Sequence, residues 1–364
     1  PKEYNGMKVV KKAPMLKPRQ PEGSEKSKFS TGSELEWVRG RDLLSLVENG
    51  VFPVAETPGR VSAEDIWPEY LNHLLSFVEL PKLRPLRVVV DAGNGMAGKV
   101  IPLLEAKLPI QVHRLFFDLD GAFPNHPSNP LEPLSQVAIS RKVVELRADF
   151  GVIFDGDTDR LFFVDEGGNF IRADMTLLLL AKLMLKREPG AAVVYNLICS
   201  RAVPEFLREW GGQPIRSPVG FVNVASAAKV HRAVMGGELS AHYSFRDNGY
   251  ADSGFIAFLI LLQLISESAE PLSKMIEPFQ KYFKGDEVNF PLTSVSLGEV
   301  ITKLKEKYAD AKQDEADGLT VEYQDWWFNA RPSNTEPLLR VTVEAATEEL
   351  FYEKQNELKD LITS

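Results

Sequence analysis

From the amino terminus, the first stretch of the chain carries little apolar periodicity. Residues 1 to about 35 are basic, hold Pro14, Pro18 and Pro21, and include a Gly-Ser-Glu-Lys-Ser-Lys run at 23–28, which reads as a loop or a flexible insertion. Helical spacing of apolar residues then predicts helices from Ser33 to Glu48 and from Ala63 to Phe77. The run from Arg87 to Asp91 predicts a buried strand, followed by a Gly-rich turn to Gly98 and a helix start. A strand, a loop and an amphipathic helix recur from Ala191 to Trp210. A spacing of about a hundred residues points to a repeated domain rather than a short solenoid repeat. Between the two units lie a predicted helix from Gln136 to Leu146, apolar β-type runs from Gly151 to Phe154 and from Leu161 to Val164, and an apolar helix from Asp174 to Lys186. After Lys284 the pattern reads strand, helix, two strands and a final helix, with a loop from Arg331 to Pro337 between the last two strands. Strands alternating with helices predict an α/β fold of tandem domains, and the change of texture predicts a separate C-terminal α+β domain.

Composition narrows the classes of function. The chain has 364 residues, 44% hydrophobic and 26% charged, as in an ordinary globular protein. A net charge of −9 gives no general attraction to nucleic acid or to an anionic membrane, so neither is an expected partner. Any anion chemistry must come from local basic residues. The single cysteine, Cys199, excludes an intramolecular disulfide framework and fits a reducing cytoplasm; it reads as a buried residue at a strand end. The longest apolar runs, Leu177 to Leu185 and Phe255 to Ile265, are too short to span a bilayer.

The ten residues Phe154 to Phe163 carry the clearest chemistry. Asp155, Asp157 and Asp159 alternate, so an extended loop directs three carboxylates to one side, where they repel each other unless a cation joins them. Oxygen ligands without His or Cys suit a hard ion, and Mg2+ better than zinc or copper. A calcium loop of the EF-hand kind competes, because Glu166 stands at its twelfth position. Against it, Arg160 occupies the sixth position, where that loop needs Gly, and the flanks are β-type runs rather than helices. The turn from Asp91 to Gly98 has glycines at 93, 95 and 98, which do not fit the dinucleotide fingerprint. It reads as a tight strand-to-helix turn.

Two further loops are polar. Gly236 to His242 joins paired glycines to Glu238, Ser240 and His242, side chains suited to sugar hydroxyls, with the glycines allowing close approach; a solvated turn is the plain alternative. Arg331 to Pro337 offers a guanidinium fork with neutral donors at Ser333, Asn334 and Thr335, the makings of a phosphate cradle, against a capped hairpin loop.

These three loops in this order, behind the strand–Asp-Ala-Gly-Asn-Gly unit, resemble the α-D-phosphohexomutase family, its phosphomannomutase/phosphoglucomutase branch, over essentially the whole chain. The resemblance implies tandem α/β domains with mixed sheets and a C-terminal α+β domain around a central cleft. In this chain they would be 1–84 with the insertion near 10–35, 85–188 for metal, 189–285 for sugar, and 286–364 for phosphate. It implies Mg2+ on Asp155, Asp157 and Asp159, sugar binding by Glu238 and Ser240, and phosphate binding by Arg331, Ser333, Asn334 and Thr335. Lys8 and His242 are the implied acid/base residues, and Arg160 would face a phosphoserine or the substrate phosphate. The implied reaction interconverts hexose 1- and 6-phosphates of mannose or glucose through a phosphoserine, with hexose 1,6-bisphosphate as activator, in a cytoplasmic monomer or weak dimer whose partner is a small phosphosugar. Pro1 and Tyr4 to Lys8 match the family stretch that follows the phosphoserine, which places that serine three residues before Pro1 and leaves the chain as written inactive. Ile198 and Phe221 stand where relatives carry a Lys and a Gly-His pair. The rival expectation is a non-catalytic phosphosugar-binding paralogue.

Overall fold

A computed structural model describes residues 10–12, 35–37, 44, 47–50, 59–291, 297–333 and 338–363. The chain divides into two units, Pro1–Asp65 and Ile66–Ser364. In the first, strand β1 (Val10–Lys12) pairs antiparallel with β2 (Leu35–Trp37). The helix expected from Ser33 is therefore strand at 35–37, and helical backbone is found at Leu44, Val47 and Glu48. Three residues with two apolar side chains fit either period, so pattern alone does not choose between them. The two strands also close the ends of the segment read as a flexible insertion.

The second unit begins with helix Trp67–Leu75. His73 Nε2 lies 2.8 Å from Asn248 Oδ1, and the Glu79 amide donates to Gln263 Oε1 at 2.8 Å. Residues 66–84, assigned by sequence to the first domain, thus pack with the second unit. Strands β3 (Leu86–Asp91), β4 (Ile110–Leu115), β5 (Phe150–Phe154), β6 (Leu161–Val164) and β7 (Phe170–Ile171) form a sheet of order β4-β3-β5-β6-β7, parallel around β3 and antiparallel beyond β5. A second mixed sheet has the order β11-β10-β8-β9, from β8 (Ala192–Asn196), β9 (Gln213–Ser217), β10 (Met235–Gly237) and β11 (Tyr243–Phe245).

Helices Ala173–Arg187 and Gly254–Glu267 are apolar nearly all round and buried, as interior helices must be. They pack on each other and both reach β6, so the two sheets share one continuous core. Ser253 caps the second helix, its Oγ accepting from the Ile256 amide. Among the described residues no single helix is long and apolar enough to cross a membrane.

The C-terminal sheet has a core of its own. Its strands are β12 (Phe283–Lys284), β13 (Val288–Pro291), β14 (Lys312–Asp314), β15 (Leu319–Glu322), β16 (Trp326–Pro332) and β17 (Leu338–Ala345), all antiparallel. Helix Leu297–Lys307 is thus followed by four strands and not two. The two extra strands are β14 and β15, and the edge strand β14 reads Lys-Gln-Asp and carries no apolar alternation to reveal it.

Candidate functional site

The acidic loop joins β5 to β6. Strand β5 is fully buried and delivers Asp155, 2% exposed, at its end, while Asp157 is exposed and Asp159 half-buried. Each offers an oxygen within 4.8 Å of the others. Thr158 between them adopts φ 69°, unusual for a β-branched residue and costing on the order of 1–3 kcal/mol. The Gly254 amide, at the start of its helix, holds this turn by donating to the Thr158 carbonyl at 3.1 Å.

Arg160 is turned into the loop. Its Nε donates to Asp155 Oδ2 at 2.7 Å, its amide to Asp155 Oδ1 at 3.2 Å, and its Nη1 to Asn129 Oδ1 at 3.2 Å. Arg160 Nε thus lies on the buried Asp155 carboxylate, while the side chain as a whole stays about one-quarter exposed. Even so, burial pushes the Asp155 carboxyl up to about 7, with Arg160 working against the rise and Asp159 and Asp157 adding to it. The group remains short of positive charge, which fits a hard cation with oxygen ligands. Glu166 takes no part, because it accepts from the Ser273 amide and hydroxyl.

The Gly-rich turn braces this loop. A Cβ on Gly95 would stand 2.6 Å from the Gly156 carbonyl oxygen, and the Met96 amide donates to that same oxygen at 3.1 Å. Sequence reasoning missed this role, although the missing side chains at 95 and 156 were its signal. Nearby, His126 Nε2 lies 3.1 Å from Asp91 Oδ1, and Nδ1 lies 2.7 Å from the Pro127 carbonyl.

The second loop runs from β10 to β11. Gly236 and Gly237 lie within β10, where added Cβ atoms would meet Val224 at 2.7 Å and Leu177 at 2.6 Å. The paired glycines admit neighbouring helices, not a ligand as expected. Glu238, 2% exposed, accepts from the Gly220 amide at 2.8 Å and from Asn196 Nδ2 at 3.4 Å. Ser240 Oγ lies 2.9 Å from His242 Nδ1.

The two loops meet edge to edge. Arg160 and His242 pair as an antiparallel bridge, and the Leu161 amide donates to the Ala241 carbonyl at 3.3 Å. The imidazole spans the junction, with Nε2 3.4 Å from Asp159 Oδ1 and Nδ1 3.4 Å from Glu238 Oε2. Burial pulls the His242 pKa down, but Asp159, Glu238 and Asp252 outweigh it and the net shift is upward. The Phe221 ring lies 6.4 Å from that of His242.

Arg331 is the sixth residue of β16 and not a loop residue. It is buried opposite Arg340, and Glu287 joins the two, accepting from Arg331 Nη2 at 2.6 Å and Arg340 Nη1 at 3.4 Å. The Ser333 amide closes the hairpin on the Leu338 carbonyl at 2.8 Å. Asn334, Thr335 and Lys8 lie outside the described residues.

Three alternating carboxylates locked to a polar loop, on tandem mixed α/β sheets followed by an Arg-bearing antiparallel sheet, define a multidomain α/β protein with a candidate metal group. Comparison with known proteins narrows it. Residues 68–168, 172–282 and 287–361 match, in order, the family descriptions Phosphoglucomutase/phosphomannomutase alpha/beta/alpha domain II, alpha/beta/alpha domain III and C-terminal domain. A phosphomannomutase of Vibrio cholerae is 35% identical over 370 residues, covering 100% of this chain and 76% of its own length. Phosphohexose mutases of Xanthomonas campestris are 35% identical over 366 residues, covering 100% and 78%. The crystal structure of a phosphoglucomutase/phosphomannomutase family protein from Burkholderia thailandensis superposes with a TM-score of 0.80 at 31% identity, covering 88% of this chain and 69% of that one. The chain belongs to the phosphoglucomutase/phosphomannomutase family.

Proposed function

We propose that the protein is a hexose-phosphate mutase that interconverts the 1- and 6-phosphates of mannose or glucose through a phosphoserine and a hexose 1,6-bisphosphate. The Arg160–His242 pairing carries this reading, because it fixes the metal group against the sugar loop. Asp155, Asp157 and Asp159 would hold Mg2+, which when bound supplies positive charge to a transferring phosphoryl group. Glu238 and Ser240 orient the sugar hydroxyls, with Glu238 itself positioned by the Gly220 amide. His242, raised in pKa and lying between Asp159 and Glu238, is equipped to hold or release a proton at Nε2 toward a sugar hydroxyl. Lys8 is the other acid/base residue in this scheme. Arg160 keeps Asp155 in place through Nε, and the rest of its guanidinium would face a phosphoserine or the substrate phosphate.

Arg331 supplies the phosphate contact, with Ser333, Asn334 and Thr335 completing it. Glu287 holds the guanidinium rigid and takes one edge of it. Calorimetry with mannose 6-phosphate and free mannose tests the assignment. The phosphorylated sugar should bind more tightly, and Arg331→Ala should cost about 2–5 kcal/mol for it alone. Equal affinity of the parent protein for both sugars contradicts the phosphate role.

A further inference from the structure

Two arginines of the C-terminal sheet share one carboxylate. Arg331 in β16 and Arg340 in β17 stand opposite each other in register, and Glu287 reaches both from the short link between β12 and β13. Its Oε2 accepts from Arg331 Nη2 at 2.6 Å and its Oε1 from Arg340 Nη1 at 3.4 Å. The Arg331 side chain is 7% exposed, whereas those of Glu287 and Arg340 are 21% and 29% exposed, so solvent reaches the group from the carboxylate side.

The donors outnumber what this carboxylate can fill. A guanidinium presents Nε and Nη2 side by side, as a fork that takes two oxygens of one anion. Glu287 gives one oxygen to each arginine, so only Nη2 of the fork is met. Arg331 Nε is buried and has no hydrogen-bond partner among the described residues. A buried charged donor left unmet is costly. Charge is unbalanced as well, since Glu287 neutralises one of two guanidiniums. A phosphate monoester has three terminal oxygens and a charge of about −1.5 to −2 at pH 7. It can meet Arg331 Nε, Arg331 Nη2 and Arg340 Nη1 together and balance both arginines, which one carboxylate cannot.

Given the phosphate role proposed for Arg331, we infer that Glu287 is an internal competitor for that role: its carboxylate takes the seat of the substrate phosphate and is displaced toward solvent when the phosphate arrives. Glu287 belongs to no strand, so it can move while β12 and β13 keep their pairing with β17. The exchange selects for charge and oxygen count. A sugar hydroxyl or a carboxylate brings no more of either than Glu287 already supplies, so free sugars and organic acids are kept off the arginines. Tethered beside the pair, the same carboxylate returns as the phosphate leaves and speeds release.

Calorimetry on the protein expressed from its complete gene tests this, with inorganic phosphate and mannose 6-phosphate as probes. Glu287→Gln keeps the shape of the side chain and removes its charge, and it should bind both probes roughly tenfold or more tightly than the parent. A residue that only holds Arg331 in place would give the opposite sign, so equal or weaker binding overturns the inference. Arg331→Ala separates this from the phosphate role itself. Parental affinity for mannose 6-phosphate in Arg331→Ala would remove both the phosphate seat and its competitor, whereas a large loss there without tightening in Glu287→Gln would remove the competitor alone. The parent protein gives a second readout that does not depend on folding of a Glu287 variant. The nuclear magnetic resonance signal of the Arg331 Nε proton, assigned by its loss in Arg331→Lys, should move downfield on saturation with mannose 6-phosphate as Nε gains an acceptor. An unmoved signal at saturation would contradict the exchange.

Discussion

The Asp317 carboxylate accepts a hydrogen bond from the Val219 amide at 2.8 Å, joining the C-terminal sheet to the second mixed sheet. Next to Asp317, a Cβ on Gly318 would stand 2.6 Å from the Arg331 Cα, so the turn lies directly on the strand that carries Arg331. Next to Val219, the Gly220 amide donates to Glu238. One short path thus links Arg331 to the sugar loop.

Cutting that path should separate phosphate binding from sugar binding. Asp317→Ala leaves the Val219 amide without its acceptor, at a cost of about 1–3 kcal/mol. Mannose 6-phosphate affinity measured by calorimetry should fall by a comparable amount, while Mg2+ affinity stays unchanged because the acidic loop is braced elsewhere. Unaltered affinity for the sugar phosphate would show that the contact is incidental.

That brace gives a second prediction. Gly95→Ala drives a methyl group into the Gly156 backbone, where no flexible side chain can yield. Overpacking of this kind costs typically about 1–3 kcal/mol, and here the strain falls on the acidic loop. Mg2+ affinity should drop although residue 95 offers the ion no ligand. A variant with a lowered melting temperature and parental Mg2+ affinity would show that the brace is structural only.

His126 should make stability depend on pH. Burial lowers its pKa, but the Asp91 carboxylate and the Pro127 carbonyl outweigh burial, and the folded value lies above the ordinary histidine value. The protonated ring therefore stabilises the fold fully below the unfolded pKa of about 6.5, and this contribution is lost as pH rises through the folded value. Melting temperatures of the parent and His126→Gln should differ most at pH 6 and converge in alkaline buffer. A gap that stays constant with pH would contradict the assignment.

The sequence made the acidic loop legible because alternating carboxylates between two apolar runs fix both a local geometry and a chemistry. The helix read from Ala63 to Phe77 is found as Trp67–Leu75 for a similar reason, being long and periodic enough to predict. Long-range pairings were not legible. Glu287 meets Arg331 across 44 positions, and no local pattern marks either as the other's partner. The inward bond of Arg160 was not legible either, because a basic residue beside acidic ones can face outward to a ligand or inward, and only the fold shows its Nε on Asp155. Gly236 and Gly237 were misread, since a glycine pair permits close approach from either side and here the helices take it.

The most direct test of the mutase reading is turnover. The protein expressed from its complete gene, supplied with Mg2+ and hexose 1,6-bisphosphate, should convert mannose 1-phosphate to mannose 6-phosphate, and His242→Gln should lower kcat by roughly 10²–10⁴-fold. No conversion of mannose 1-phosphate or glucose 1-phosphate by a preparation that still binds Mg2+ and mannose 6-phosphate would contradict the mutase reading and leave a phosphosugar-binding protein in its place.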